Sequence, residues 1–163
     1  MTAKPTPFDF LDTLKQQQPP KPKIKDRWTT APLRWLKPLS RVALGRIGVQ
    51  LYVAHFGGQI MDRKATFDIH HGKKKIEAKL ALRSSQSNGQ QFRYQWYTIR
   101  ANDEWTHLWL VAVSFNSVRC FLVPRSEAEL KKAKESLQCY WVGNDKDHDH
   151  CELPGWLKRR EVL

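Results

Sequence analysis

Little in this chain of 163 residues can hold it together covalently or seat it in a bilayer. It has three cysteines, Cys120, Cys139 and Cys151, too few for a disulfide framework, which suggests a reducing, intracellular setting, cytoplasmic or nucleoid-associated. No run approaches the ~18 apolar residues of a membrane span, and the first residues carry no apolar signal core, so a membrane partner is not expected. There is no internal repeat and no heptad pattern that would specify a coiled coil. Acid is scarce in the first hundred residues. Residues 1–50 carry ten basic against three acidic side chains, 51–100 nine against three, and 101–163 nine against ten. The formal net charge of +12 is therefore concentrated in the first two thirds. Such a distribution suits a polyanion, nucleic acid before an acidic membrane.

Proline is concentrated near the start: seven of nine lie within residues 1–38, around "QQQPPKPKIK". Residues 1–26 accordingly read as a flexible N-terminal arm and 27–163 as a single domain, long enough to bury a core. Within the arm, Phe8, Leu11 and Leu14 share one face of a short amphipathic turn-rich segment. Apolar spacing predicts a helix over 39–57, ended by Gly57-Gly58. Strands are expected over 59–69 and 75–82, a helix or mixed segment over 90–102, and strands over 107–115 and 118–124. A helix over 126–137 with Ser126 as its N-cap follows, and the tail from 139 looks irregular. This order implies an α/β fold with a small mixed central sheet flanked by helices.

The informative stretch is "TFDIHHGKKKIEAKLAL", residues 66–82. On a strand, Glu77 and Lys79 share one face, while Ile76, Ala78 and Leu80 share the other. Asp68 lies across a basic turn from them. Two converging carboxylates repel and raise a pKa unless a cation joins them. Mg²⁺ resolves this with one or two carboxylates, waters and phosphate oxygens, and a nearby lysine can orient the attacking water for phosphodiester hydrolysis. An exposed edge strand whose alternating charges block aggregation is the structural alternative.

The pattern FD-x(8)-EAK resembles the PD-(D/E)xK motif of the restriction-endonuclease-like nuclease superfamily. The resemblance covers about residues 40–136 and implies an α-β-β-β-α-β core. It makes Asp68 and Glu77 metal ligands together with the backbone carbonyl of Ala78, Lys79 the catalytic lysine, and Mg²⁺ the cofactor, with Mn²⁺ able to substitute. Phe67 stands where the family has proline, and Gln50 where the preceding helix often has a glutamate. Gln50 is therefore counted with the catalytic set, as a holder of metal-bound water. Function would be that of a metal-dependent DNA endonuclease, in its simplest form a type II restriction-type enzyme acting on duplex DNA as a homodimer. A junction resolvase and a noncatalytic DNA-binding protein of the same fold are the alternatives.

Lys73 and Lys74 in the turn, Arg83, Arg93 and Gln95 are candidates for DNA contact, because Arg and Gln read base edges and cations neutralise phosphate. Gln90 and Tyr94 are similar to a Q-x-x-x-Y element of exonuclease branches, though a helix packing Phe92 and Trp96 inward accounts for the segment equally. His70-His71 lacks the partners an HNH site needs. Cys139, His148, His150 and Cys151 do not match the spacing of a zinc module, and Asp145, Asp147 and Asp149 make that segment an acidic loop instead of a structural zinc site.

Overall fold

Helix α2, Arg41–Phe56, is the element against which the main sheet is laid. Ser40 is extended and caps it by accepting the Ala43 N–H at 3.2 Å, and Gly57 ends it at φ 79°. Gly58, at φ 110°, lets the chain pass close to the next hairpin, for a Cβ there would lie 3.1 Å from the His70 carbonyl oxygen. The computed structural model describes residues 6–15, 27–62, 64–85, 92–100, 102–130, 140–145, 157 and 159–163. Before α2 come α1, Pro7–Lys15, and two short 3-10 turns, Arg27–Thr30 and Arg34–Leu36. After it come β1 Gln59–Ile60, β2 Ile69–His71, β3 Lys74–Leu82, β4 Ser84–Ser85, β5 Phe92–Trp96, β6 His107–Val113, β7 Val118–Pro124, α3 Arg125–Leu130 and β8 Tyr140–Asp145.

Five strands form a mixed sheet in the order β1-β2-β3-β6-β7. Its β3–β6 pair is parallel and its other pairs are antiparallel. A second sheet has the order β4-β5-β8. The expected mixed α/β architecture is thus present. The strand alternation of β3 divides two cores. Ile76, Ala78, Leu80 and Leu82 join Trp109, Val111 and Val113 against α2, α1 and the tryptophans at 28 and 35. On the other face, Ala81, Leu108, Leu110, Phe121 and Val123 pack on Tyr94, Trp96 and Trp105. Two indole N–H groups tie the layers together: Trp109 donates to the Gly48 carbonyl and Trp96 to the Val111 carbonyl, each at 3.0 Å.

Several expectations need correction. The strand expected over 59–69 survives only at its ends. Asp62 accepts the N–H groups of Lys64 and Ala65, a side-chain turn that breaks the extended run. Residues 92–96 are a strand, not a helix, with Tyr94 and Trp96 buried at period two. Between β3 and β6, the described residues contain no helix, so the second sheet covers the face where a flanking helix was expected. Ser126 is not an N-cap, because α3 begins at Arg125 directly after β7; its described part ends at Leu130, and residues 131–139 lie outside the described residues. The tail is not wholly irregular. It contributes β8, and residues 160–163 run along β7, where Val162 donates to Cys120 O at 2.9 Å and Cys120 to Leu163 O at 3.0 Å. Among the described residues no helix is long and apolar enough to cross a membrane.

The N-terminal arm also departs from expectation between residues 7 and 15. That stretch is α1, and Leu11 is fully buried in the α2-side core with Phe8 and Leu14 beside it. Leu11→Ala is therefore expected to lower unfolding free energy by about 2–4 kcal/mol in urea titrations, as for other fully buried leucines. A loss below about 0.5 kcal/mol would mean that α1 is not docked in solution.

Candidate functional site at the open edge of strand β3

Strand β2 pairs with β3 only over Lys74–Ile76, whereas β6 accompanies β3 from Ile76 to Leu82. Beyond Ile76, one edge of β3 has no neighbouring strand among the described residues, and Asp68 occupies the start of that gap. Its backbone N–H donates to Ile76 O at 2.9 Å, and its Oδ2 accepts the Ala78 N–H at 2.8 Å. In an extended strand, a residue's N–H and C=O point to the same edge. The Ala78 carbonyl therefore faces the same opening as the Asp68 carboxylate. Asp68 also has a structural role here, since its side chain replaces a missing ladder partner.

Glu77 and Lys79 lie on the opposite face from Ile76 and Ala78, as the alternation predicts. Glu77 is 8% exposed, and its Oε1 is 2.5 Å from Lys79 Nζ. Burial pushes the Glu77 carboxyl up to about 7; Lys79 opposes that shift, while Asp68 and, more weakly, Asp103 add to it.

A cavity of about 600 Å³ opens at this edge. Asp68, Ala78 and Lys79 line it from the sheet, Gln50 from α2 and Gln95 from the end of β5. Glu77 is not among its lining residues, being engaged with Lys79 behind it. Five of the sequence-derived candidates thus meet at one opening although they span residues 50 to 95. Among the described residues no three His, Cys, Asp or Glu side chains cluster as a metal site; Asp68, the Ala78 carbonyl and the Gln50 amide supply oxygens of the kind that Mg²⁺ or Mn²⁺ takes together with several waters. This set has no thiolate or imidazole and does not suit zinc.

The remaining candidates lie elsewhere. Arg83 is 2% exposed, with its guanidinium 5.2 Å from the Phe115 ring centre and its carbonyl accepting the Trp28 indole N–H, so it serves packing and not DNA contact. Lys73 and Lys74 sit at the hairpin turn, four residues along the strand from Ala78 at the nearer, roughly 13 Å. They do not line the cavity. His71 pairs with the Tyr52 hydroxyl at 2.9 Å, a link between β2 and α2. Phe67 packs on the second core. The backbone of Arg93 lies in β5, but its side chain is outside what the structure describes, as are Gln90 and the Cys139, His148, His150 and Cys151 set.

Sequence reasoning missed the opposite wall. Arg41 and Arg46 line the cavity from α2, and the Arg41 guanidinium lies 4.4 Å from the Tyr97 ring centre. Val42, Arg46 and Gln50 recur at intervals of four, a helical face visible in the sequence but not interpretable without knowing what it opposes. Thr98 beside Tyr97 has φ 60°, a strained conformation for a β-branched residue. The chain matches no model of a known protein family and no curated protein.

The raised Glu77 pKa dictates a pH dependence. Between its ordinary value of 4.5 and about 7, the folded chain retains a proton that the unfolded chain releases. Stability therefore falls as pH rises across that window, by at most about 3 kcal/mol. Urea unfolding without metal at pH 5 and pH 7.5 should show this decline in the wild type and a shallower one in Glu77→Gln. Equal declines would show that Glu77 titrates normally.

Proposed function

We propose that this chain is a metal-dependent DNA endonuclease with a restriction-endonuclease-like site. The observation that carries the reading is the convergence of Asp68, the Ala78 carbonyl edge and Lys79 on one cavity whose facing wall holds Arg41, Arg46 and Gln50. Asp68 and Ala78 would hold Mg²⁺ or Mn²⁺, with Gln50 holding a coordinated water, while Glu77, expected as a second ligand, lies outside the cavity and pairs with Lys79. When bound, the ion would polarise the phosphate and lower the pKa of water. Lys79 orients the water that attacks phosphorus, and its ammonium stabilises negative charge on the phosphoryl oxygens. The attacking water gives up a proton to bulk water as it forms the new P–O bond, the ester bond breaks, and the departing alkoxide takes up a proton from solvent. Arg41 and Arg46 hold flanking phosphates.

One such site cuts one strand, so a type II restriction-type double-strand cut requires two copies, arranged as a homodimer. A second reading has its own support. Glu77 is committed to Lys79 and does not line the cavity, an arrangement that would also serve a noncatalytic DNA-binding protein of the same fold.

Cleavage of linear and branched DNA with Mg²⁺ and Mn²⁺ separates these readings. Lys79→Ala should reduce cutting at least about 10²-fold with DNA binding retained. Asp68→Asn, which keeps an acceptor for the Ala78 N–H, should abolish cutting with little change in Tm. No cutting of any substrate by the wild type, with binding present, would leave the noncatalytic reading.

A further inference from the structure

We infer that the cavity at the open edge of β3 receives an unpaired nucleotide of DNA, so that the chain prefers single-stranded or gapped DNA to continuous duplex. The inference rests on the DNA-nuclease reading for the identity of the polymer, but not for catalysis, and it replaces continuous duplex, the substrate of a type II restriction-type cut, with DNA that has an unpaired nucleotide.

The walls of the cavity carry exposed apolar side chains. Val42 is 68% and Ile60 53% exposed, two of the four large apolar side chains left exposed among the described residues, and both line this cavity. Leu44, Val49 and Leu80 extend the same apolar lining. A sugar–phosphate backbone offers such surface only the small C–H faces of its sugars. A nucleobase offers a whole ring face, but continuous duplex keeps its bases stacked inside and presents only their edges. The volume, about 600 Å³, is in the range of pockets that enclose small molecules, not of a groove that follows a duplex.

A stack lies at one side of the cavity. Arg41 over Tyr97 presents a guanidinium plane and an aromatic ring, the surfaces on which unpaired bases stack. Thr98, next in the chain to Tyr97, has φ 60°, and strain of this kind persists where surrounding structure enforces it. Arg41, Arg46 and Lys79, the last of them paired with Glu77, share the cavity with two carboxylates, of which Asp62 accepts two backbone N–H groups and Asp68 one. The two arginines are placed for the phosphates on either side of an inserted base.

Gly45 supplies a clean test. It lines the cavity, and a Cβ built on it meets nothing within 4 Å. Leucine at this helical position fills the opening and favours the helix. Fluorescence anisotropy with Ca²⁺ in place of Mg²⁺ would compare one labelled sequence as single strand, as gapped duplex and as a duplex closed by hairpins. The wild type should bind the first two at least about 10-fold more tightly than the closed duplex. Gly45→Leu should erase that difference with Tm unchanged or raised, and Tyr97→Ala should reduce it. Equal or tighter binding of closed duplex, a preference for single-stranded RNA over DNA, or a preference surviving Gly45→Leu would overturn the inference. Cutting with no such preference defeats this inference alone. The preference without any cutting defeats the catalytic reading alone.

Discussion

The hydrogen bond from the Ala78 N–H to the Asp68 carboxylate is the contact around which the site is organised. It closes the ladder where β2 leaves β3, and it does so with a charged side chain instead of another strand. Beyond that point β3 is supported by β6 and by the two cores but has an open edge. An open edge inside a fold usually invites pairing with another chain. Here α2, residues 60–62 and the turn after β5 surround it and convert it into a cavity. Backbone polarity, side-chain charge and space are thereby concentrated in one place.

The same strand carries a less comfortable arrangement behind that edge. Glu77 is buried on the face that otherwise packs leucine, alanine and tryptophan, and among the described residues only Lys79 offsets its desolvation. A buried ion pair is a poor way to gain stability, since an apolar pair of similar size is often as good or better.

Much of the scaffold was legible because its signals are local. The 39–57 periodicity ending in Gly57-Gly58 became α2, and the apolar runs at 107 and 118 became β6 and β7. Alternation alone assigned Glu77 and Lys79 to one face. Where the reading failed, a nonlocal term decided. The segment at 92–96 has aromatic residues that fit either period, and pairing with β4 and β8 made it a strand. Arg83 looked like a surface cation until Trp28 and Phe115 enclosed it. The tail at 160–163 has no strand signature of its own, yet the exposed edge of β7 gives its backbone groups partners.

The sequence by itself determined the charge, the mixed α/β pattern and the spacing that brings Asp68, Glu77 and Lys79 to one hairpin, because turns and strand alternation act over a few residues. Only the tertiary structure decided that Glu77 turns behind the site while Asp68 and Lys79 line it, and that Arg41, Arg46 and Tyr97 stand opposite. Those relations depend on how α2 and the end of β5 pack around β3. Packing of elements dozens of residues apart is set by the fit of whole faces, which no short pattern encodes.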